Sequence, residues 1–288
     1  ALETYLAQKG SNKGKTFHAA AQRACAYLVE ASGAKDLADY SRADALKYRD
    51  YLIAKGMAGS SVSRVISSIR AVMNFAISEY ALDLKNPFVG MYHDRLAGVS
   101  KRLPIPIEDI RKVQQQCLSL DDDLRWLVAL VSDTGIRLAE VSGLLKTDII
   151  LDEDIPFIRV QPHPWRKLKT AGSERDVPLV GVSLWAAQRL LDAYPDSGYA
   201  FPRYNKTTIT NANSASAALN KWLHPYVPNG CTMHSFRHSM RDRLRAVECP
   251  ADVVDQIGGW TTGGVGQGYG SGYSLEVCFR WMKKMEGK

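Results

Sequence analysis

An apolar stripe in the first third of the chain constrains its fold most strongly. Between Ser61 and Tyr80, apolar side chains recur at intervals of three and four residues, a spacing that places them on one face of an α-helix. We expect Gly59 to interrupt the chain before this helix and Ser60 to cap it. The members of the stripe are Val62, Val65, Ile66, Ile69, Val72, Met73, Ala76 and Ile77.

The rest of the first region is also predicted to be helical, as far as residue 85. One helix is expected over Thr16–Glu30, with Thr16 as its cap, and another over Arg42–Lys55, which ends before a glycine. Asn86-Pro87 then closes the helical block, because proline cannot continue a helix.

A domain boundary is predicted after this block. Residues 89–106 have neither helical nor strand periodicity, and glycine and proline interrupt them. A chain of 288 residues is long enough for about two domains. We therefore predict a helical domain over residues 1–98, a linker over 99–106 and a second domain over 107–288.

The second region is predicted to be mostly helical, with one small sheet inside it. Residues 157–161 alternate in the manner of a strand, and residues 167–179 are expected to form a hairpin that turns near Ala171-Gly172. The predicted fold class is therefore mainly α: a helical first domain and a mostly helical second domain with a small inserted antiparallel β-sheet. Helices are expected over residues 109–118, 124–132, 184–194, 213–223, 235–247 and 251–257.

A last helix is predicted over residues 274–284, where apolar side chains recur at helical spacing. Its apolar face either packs on the core of its own chain or docks on a neighbouring subunit. The glycines that precede this segment give the backbone freedom, and they favour docking on a neighbour.

The charge balance is compatible with a polyanionic partner. The chain has 37 Lys and Arg against 30 Asp and Glu, a net charge of +7, and both the first 98 residues and the remainder of the chain are mildly basic. If the partner is DNA, we expect both domains to touch it, with Lys101-Arg102 in the linker along the duplex. Arg64 and Arg70 lie off the apolar stripe, where they either face solvent or contact phosphates.

Cysteine usage and hydropathy indicate the compartment. Five scattered cysteines without a C-x-x-C pair argue against a disulfide framework and against a thiolate metal site. No apolar run approaches the length of a membrane span, and the first residues show no signal-peptide pattern. We therefore expect a cytoplasmic protein.

Arg137 is the first candidate functional residue. A glycine ends one apolar helix and a second helix begins at once, which places Arg137 at the junction of the two. The guanidinium group is a rigid fork that suits phosphate oxygens. The simpler interpretation is a surface ion pair with Glu140, three residues further on. This motif alone leaves both interpretations open.

His234 and Arg237 form a second candidate site, because side chains three residues apart share one face of a helix. A cation and an imidazole on one face suit a site that holds a negative oxygen and moves a proton. His234 and His238 have the spacing of a zinc helix, but the glutamate of H-E-x-x-H is missing, and we expect no metal. A helix cap is the structural alternative for His234.

The segment 258–272 is rich in glycine but has no nucleotide-binding motif. It lacks the order G-x-G-x-x-G, and no Gly-Lys-Ser/Thr follows. The glycines permit tight turns around Tyr269 and Tyr273, and each of these is either a nucleophile or a packed aromatic side chain.

Together these motifs resemble those of the tyrosine recombinase (phage integrase) family. The segment 134–140 (TGIRLAE) matches the family's Thr-Gly-x-Arg-x-x-Glu box, and His234 with Arg237 matches its His-x-x-Arg box. The segment 257–260 (IGGW) matches, with one additional glycine, the family's Leu/Ile-Gly pair and the His or Trp behind it. Asn86-Pro87-Phe88 is similar to the end of the family's core-binding domain.

The resemblance also implies a nucleophile and a lysine. The family's tyrosine usually follows nine residues after the Trp position, which implies Tyr269, with Tyr273 as the alternative. The family carries a lysine on the turn of a small β-hairpin, ahead of an Arg-x-Val-Pro-Leu run. The segment 175–179 (RDVPL) matches that run, which implies Lys169, with Lys167 as the alternative.

The family's activity is implied by the same resemblance. It would be site-specific DNA recombination or integration, as in phages and mobile elements, through a 3′-phosphotyrosyl intermediate and a Holliday junction. The expected partners are double-stranded DNA sites, three further copies of the chain in a homotetramer and accessory DNA-bending proteins, and no metal or cofactor is expected. The implied catalytic residues are Arg137, Lys169, His234, Arg237, Trp260 and Tyr269.

Two other functions compete with this interpretation. A type IB topoisomerase uses a similar set of residues, but the helical first domain and the short chain fit it less well. A non-catalytic DNA-binding protein of the same fold would have no use for the complete set of arginines, histidine and tyrosine.

Overall fold

The computed structural model describes residues 1–99, 103–206, 208–260 and 272–287. The chain divides into two compact units, residues 1–101 and 102–288. No helix in the described ranges combines the length and the apolar character needed to cross a bilayer.

The first unit is a bundle of helices around two adjoining apolar clusters. The predicted stripe is buried as expected: Val62, Ile66 and Ile69 pack against Tyr48 and Phe88 in the larger cluster. The smaller cluster is formed around Tyr5. The helices are α1 (Leu2–Gly10), α2 (Lys15–Ser32), α3 (Arg42–Ala54) and α4 (Gly59–Glu79).

Two predicted helix caps are wrong. Helix α2 begins before Thr16, because its first turn closes on the carbonyl of Gly14. Helix α4 begins at Gly59, so Ser60 lies inside it. The N–H of Gly59 donates to the carbonyl of Ala97 at 2.7 Å, and this backbone bond takes the place of a hydroxyl cap.

Gly59 also allows two parts of the chain to cross at close range. A Cβ atom at this position would lie 2.0 Å from the carbonyl oxygen of Asp94 and 2.9 Å from the Cα of Arg95. The segment that follows α4 therefore packs directly on the start of that helix. The glycine predicted to interrupt the chain is instead the first helical residue, and it makes this contact possible.

The second unit contains the remaining helices and the strands. Its helices are α5 (Ile107–Leu120), α6 (Asp123–Thr134), α7 (Leu138–Ser142), α8 (Gly181–Asp192), α9 (Ala212–Leu223), α10 (Ser235–Ala246), α11 (Ala251–Gly258) and α12 (Leu275–Glu286). Its strands are β1 (Ile149–Ile150), β2 (Phe157–Val160), β3 (Arg175–Pro178), β4 (Asn205–Lys206) and β5 (Ile209–Thr210).

Helix α6 is the central element of this unit. Every residue from Leu127 to Thr134 is buried, and the helix packs against α5, α7, α8 and α10. The Asp122 side chain caps its start by accepting from the N–H of Arg125. Gly135 ends it with a φ of +60°, where a Cβ atom would also lie 2.7 Å from the Met240 side chain. Only glycine satisfies both conditions.

The small antiparallel sheet is present, but the predicted hairpin is placed differently. The strand order is β1-β2-β3, and Val160 of β2 lies opposite Arg175 of β3. Residues 167–174 therefore belong to the connection between β2 and β3. The reason is local, because His163 and Arg166 close a tight turn and Ala171–Ser173 forms a single 3-10 turn. Strand β3 therefore pairs with residues 157–160 and not with residues 167–170.

Helix α12 packs on its own unit. Cys278, Met282 and Met285 are buried in the same apolar cluster as α6. The helix contacts α10 and β3. The docking on a neighbouring subunit that the sequence favoured is therefore not the arrangement of this structure, because the apolar face is already covered within the chain.

The crossing at Gly59 yields a stability prediction. We expect Gly59→Ala to lower the free energy of unfolding by about 1–3 kcal/mol, because the added methyl group displaces a backbone segment. Urea unfolding of the full chain measures this change. Gly198→Ala is the control, since a Cβ atom there meets nothing within 4 Å. Equal stability of the two variants would contradict the close crossing.

Candidate active site

Arg137 occupies the junction between two helices of the second unit. Gly135 ends α6, and Arg137 is the residue that precedes α7. Its Nη1 donates to Glu140 at 2.6 Å and to the Ser173 hydroxyl at 3.1 Å, and its Nη2 donates to the carbonyl of Gly259 at 3.2 Å. The guanidinium group is thus held from three sides and remains partly exposed.

Glu140 is the carboxylate at the centre of this network. It is only 3% exposed and accepts from Arg137 and, at 3.3 Å, from Nη2 of Arg175. The ion pair that the sequence left open therefore exists. It is not a surface pair, because the same carboxylate serves two arginines in the interior.

Arg237 lies on α10 and is buried, at 3% exposed. Its Nη1 donates to the carbonyl of Gly135 at 3.0 Å, its Nη2 donates to the carbonyl of Gly258, and its guanidinium carbon lies 4.2 Å from the centre of the Trp260 ring. Burial, together with the charges of Arg137 and Arg175, lowers the pKa of Arg237 to about 9. Arg237 therefore stays a cation at neutral pH.

The described contacts leave this cluster with excess positive charge. Among the described residues, Glu140 pairs with Arg137 and Arg175, whereas the nearby Arg237 donates only to backbone carbonyls. Burial also lowers the pKa of Arg175, whose other partners are backbone carbonyls. Buried cations without enough counter-charge are costly, so the cluster favours the binding of an anion.

Trp260 packs between two arginines. Besides Arg237, the guanidinium carbon of Arg241 lies 4.8 Å from its ring centre, and Arg241 pairs with Asp255 at 2.9 Å. The ring face attracts cations, and this contact fixes the position of Arg237.

His234 opens onto the same cleft as the two predicted arginines. It is exposed and occupies the N-cap position of α10, but its side chain does not make the capping hydrogen bond. The cleft has a volume of about 410 Å³, and Arg137, Arg237 and His234 all line it, beside Asn213 and Ser216 of α9. The structure thus brings together three residues from two distant parts of the sequence.

His234, which precedes α10, and His238, on α10, are in contact through their rings. The rings of His234 and His238 are 5.3 Å apart and meet edge to face. Within the described ranges, no three His, Cys, Asp or Glu side chains are placed so that they could hold a metal ion.

Lys169 and the alternative Lys167 lie in the connection between β2 and β3, and both are exposed. The last part of this connection reaches the site, because the Ser173 hydroxyl accepts from Arg137. The described contacts give neither lysine a hydrogen-bond partner, so the choice between them stays a prediction.

Of the two candidate tyrosines, Tyr269 lies outside the described residues. Tyr273 is described and 39% exposed, and its hydroxyl donates to Asp252 of α11. That hydrogen bond raises the pKa of Tyr273. The backbone of Tyr273 is also held on both sides by the amide of Gln256, at 2.7 Å in each direction.

Sequence reasoning did not identify Arg175 and Ser173 as residues of the site. Arg175 begins β3, and side chains two residues apart on a strand share a face, so it lies on the buried face of Val177. A charged residue on an apolar strand face predicts a buried partner, here Glu140. That signal was present in the sequence for Arg175, whereas nothing local indicated Ser173.

Comparison with known proteins identifies the family of this chain. The sequence pattern of the phage integrase family matches residues 107–270. Direct sequence comparison finds no similar curated protein.

Solved structures of integrases share the fold. An integrase of the Tn1549 transposon, in complex with circular intermediate DNA, is similar with a TM-score of 0.71 and 16% identity, over 98% of this chain and 97% of that chain. A lambda integrase tetramer bound to a Holliday junction is similar with a TM-score of 0.68 and 12% identity, over 93% of this chain and 74% of that chain. The family pattern covers more than half of the sequence, and this chain belongs to the phage integrase family of tyrosine recombinases.

Proposed function

We propose that this protein is a site-specific DNA recombinase that cuts and rejoins the strands of double-stranded DNA. One observation carries the proposal: Arg137, Arg237 and His234 converge on one cleft, and the described residues give the guanidinium cluster there one carboxylate, that of Glu140. A backbone phosphate supplies the missing negative charge, and its oxygens match the fork geometry of arginine.

The two arginines act on the phosphate oxygens. Attack on a phosphodiester builds negative charge on a five-coordinate phosphorus. Arg137 and Arg237 bind the non-bridging oxygens and stabilise that charge, because their positions are fixed by the protein before the reaction begins. Trp260 keeps Arg237 in place by packing on its face.

Tyr269 is the proposed nucleophile, on the basis of its position nine residues after Trp260. The contacts of Tyr273 support this choice. Its hydroxyl is engaged by Asp252 and its pKa is raised, so it is a poor nucleophile in this arrangement.

The cleavage step conserves the linkage energy. The Tyr269 oxygen bonds to phosphorus and its proton passes to His234, while the bond to the 5′ oxygen breaks and Lys169 gives that oxygen a proton. The product is a 3′-phosphotyrosyl enzyme and a free 5′-hydroxyl. Rejoining is the reverse reaction with the 5′-hydroxyl of another strand, and neither direction needs ATP or a metal.

The similar structures suggest how the protein assembles on DNA. The Tn1549 integrase is in complex with a circular intermediate DNA, and a lambda integrase tetramer is bound to a Holliday junction. We propose that this chain recombines two sites as a homotetramer through such a junction, on behalf of a phage or mobile element and with accessory DNA-bending proteins. Residues 1–98 act as a core-type DNA-binding domain, 99–106 as the linker and 107–288 as the catalytic domain.

Covalent capture tests the function. Nicked duplexes with a randomised central sequence are incubated with the protein, and DNA that stays attached in detergent is recovered and sequenced. A 3′-linked adduct with a common sequence supports the proposal and defines the site. No adduct, or plasmid relaxation without exchange of sites, would contradict it, and relaxation alone would point to a topoisomerase.

The nucleophile can be identified by removing one oxygen at a time. We expect Tyr269→Phe to bind the captured duplex as the parent does and to form no adduct, because it lacks the attacking oxygen. Tyr273→Phe serves as the matched variant and should still form the adduct. The opposite result in the same gel assay would assign the reaction to Tyr273.

The geometry around Arg237 predicts that a positive charge alone at this position does not sustain the cleavage rate. Arg237→Lys keeps a cation but cannot donate to the carbonyls of Gly135 and Gly258 while holding an oxygen. We expect the single-turnover cleavage rate to fall by about 10²–10³-fold, the usual loss for one oxyanion donor. Lys221→Arg, a change of the opposite kind on α9, is the control. A rate close to that of the parent would contradict the proposed role.

Salt dependence tests the first unit. The logarithm of DNA affinity should fall linearly with the logarithm of salt concentration, by about 0.9 per phosphate contact. We propose that the exposed Arg64 and Arg70 of α4 contact phosphates. Replacing both with alanine should therefore reduce the slope by about 2. An unchanged slope would show that these arginines only face solvent.

A further inference from the structure

Ser173 is a fully buried hydroxyl at the edge of the guanidinium cluster. It is 0% exposed, and its oxygen lies 3.1 Å from Nη1 of Arg137, which donates to it. Its carbonyl accepts from Nη1 of Arg175 at 2.6 Å. A single residue of the connection between β2 and β3 therefore contacts two arginines of the site.

The same hydroxyl is bonded to Thr170. The Oγ1 of Thr170 and the Oγ of Ser173 are 3.0 Å apart, and the N–H of Ser173 donates to the carbonyl of Thr170 at 3.1 Å. Thr170 follows Lys169 directly in the chain. A continuous path of hydrogen bonds thus joins the residue after Lys169 to Arg137.

The other end of this connection is also fixed. His163 and Arg166 exchange two backbone hydrogen bonds of 3.0 Å, and the ring of His163 lies 2.7 Å from the buried carboxylate of Asp148. The indole N–H of Trp165 donates to the carbonyl of Gly143 at 3.2 Å. Arg166 is 4% exposed. Residues 167–169 therefore span a short distance between two anchored points.

We propose that Thr170 and Ser173 are positioning residues that fix the backbone beside Lys169 relative to Arg137, so that the lysine amine reaches the phosphate bound by Arg137. The proposal rests on the proposed function, in which Lys169 protonates the departing 5′ oxygen. A lysine side chain is long and flexible, and a proton donor must lie within hydrogen-bond reach of its acceptor. A tether to Arg137 fixes the backbone from which this side chain extends and so limits where the amine can reach, since Arg137 holds the same phosphate.

The path also favours Lys169 over Lys167. Lys167 follows the buried Arg166 at the far anchor, whereas Lys169 adjoins the residue that is bonded towards Arg137. The shorter path to the phosphate site therefore starts at Lys169.

The test uses the full chain and the duplex defined by covalent capture, in two forms. One carries the natural 5′ bridging oxygen at the cleaved phosphate, and the other carries sulfur in its place. A thiol has a pKa of about 8.5, against about 15.7 for water, so the sulfur leaves without a proton donor. The sulfur duplex therefore reports cleavage without the contribution of Lys169.

Thr170→Val removes only the hydroxyl and keeps the shape of an exposed side chain. We expect it to cleave the oxygen duplex about tenfold more slowly, the loss associated with one positioning hydrogen bond, and the sulfur duplex at the parental rate. Thr170→Ser, which keeps the hydroxyl, should retain the parental rate on both. Thr147→Val is the control for the same change at an exposed threonine elsewhere in the unit.

Two further variants locate the effect. In a Lys169→Met background, Thr170→Val should cause no additional loss on the oxygen duplex, because the residue that it positions is already absent. The sulfur duplex should restore the cleavage rate of Ser173→Ala only in part, since this variant also loses a contact of Arg137. Thermal unfolding checks that Ser173→Ala is folded. The result for Thr170→Val does not depend on that variant.

Two outcomes overturn the inference. If Thr170→Val cleaves both duplexes as the parent does, the hydroxyl positions nothing. If it slows both equally, its role is structural and does not act through the lysine. A parent that forms no adduct with either duplex would instead contradict the proposed function, so the two failures are distinguishable.

Discussion

The second unit depends on the burial of one positive charge between the ends of two helices. Gly135 ends α6 and Gly258 is the last residue of α11, and both give their carbonyl oxygens to Arg237. The last carbonyls of a helix lack partners within it and carry the negative end of the helix dipole. Two such ends at one point form a cation site, and Trp260 covers it. Helices α6, α10 and α11 are thereby fixed around a single guanidinium group.

The same helix end also positions the second arginine. Arg137 follows Gly135 by two residues, so the chain turn that exposes the carbonyl for Arg237 directs Arg137 towards the cleft. Glu140 then joins Arg137 to Arg175 on β3. Repulsion among three like charges is offset by one buried carboxylate and by fixed backbone dipoles. The arrangement is stable enough to fold and still favours a bound anion.

Features with a local physical cause could be predicted from the sequence. The stripe of α4 and the helical second unit follow from periodicity, and the residues that meet at the cleft were named from short motifs. Features set by distant contacts could not be predicted. The position of Arg175 on an apolar strand face predicts a buried partner but not which one, and its bond to Glu140 spans 35 residues. The pairing of β3 depends on turns inside the connection that precedes it. The packing of α12 was also undetermined, because an apolar face fits any complementary surface. Tyr269 stays a prediction.

The groups that hold Arg237 have a consequence for how the activity responds to acid and base. Peptide carbonyls do not ionise in water, and the aromatic face of Trp260 carries no proton to lose. The pKa of Arg237, though lowered to about 9, stays above neutrality. Its electrostatic pull on a phosphate is therefore constant across the physiological range. A pH profile of the rate in that range would therefore report the groups that exchange protons with the reacting oxygens, and not the ionisation of Arg237.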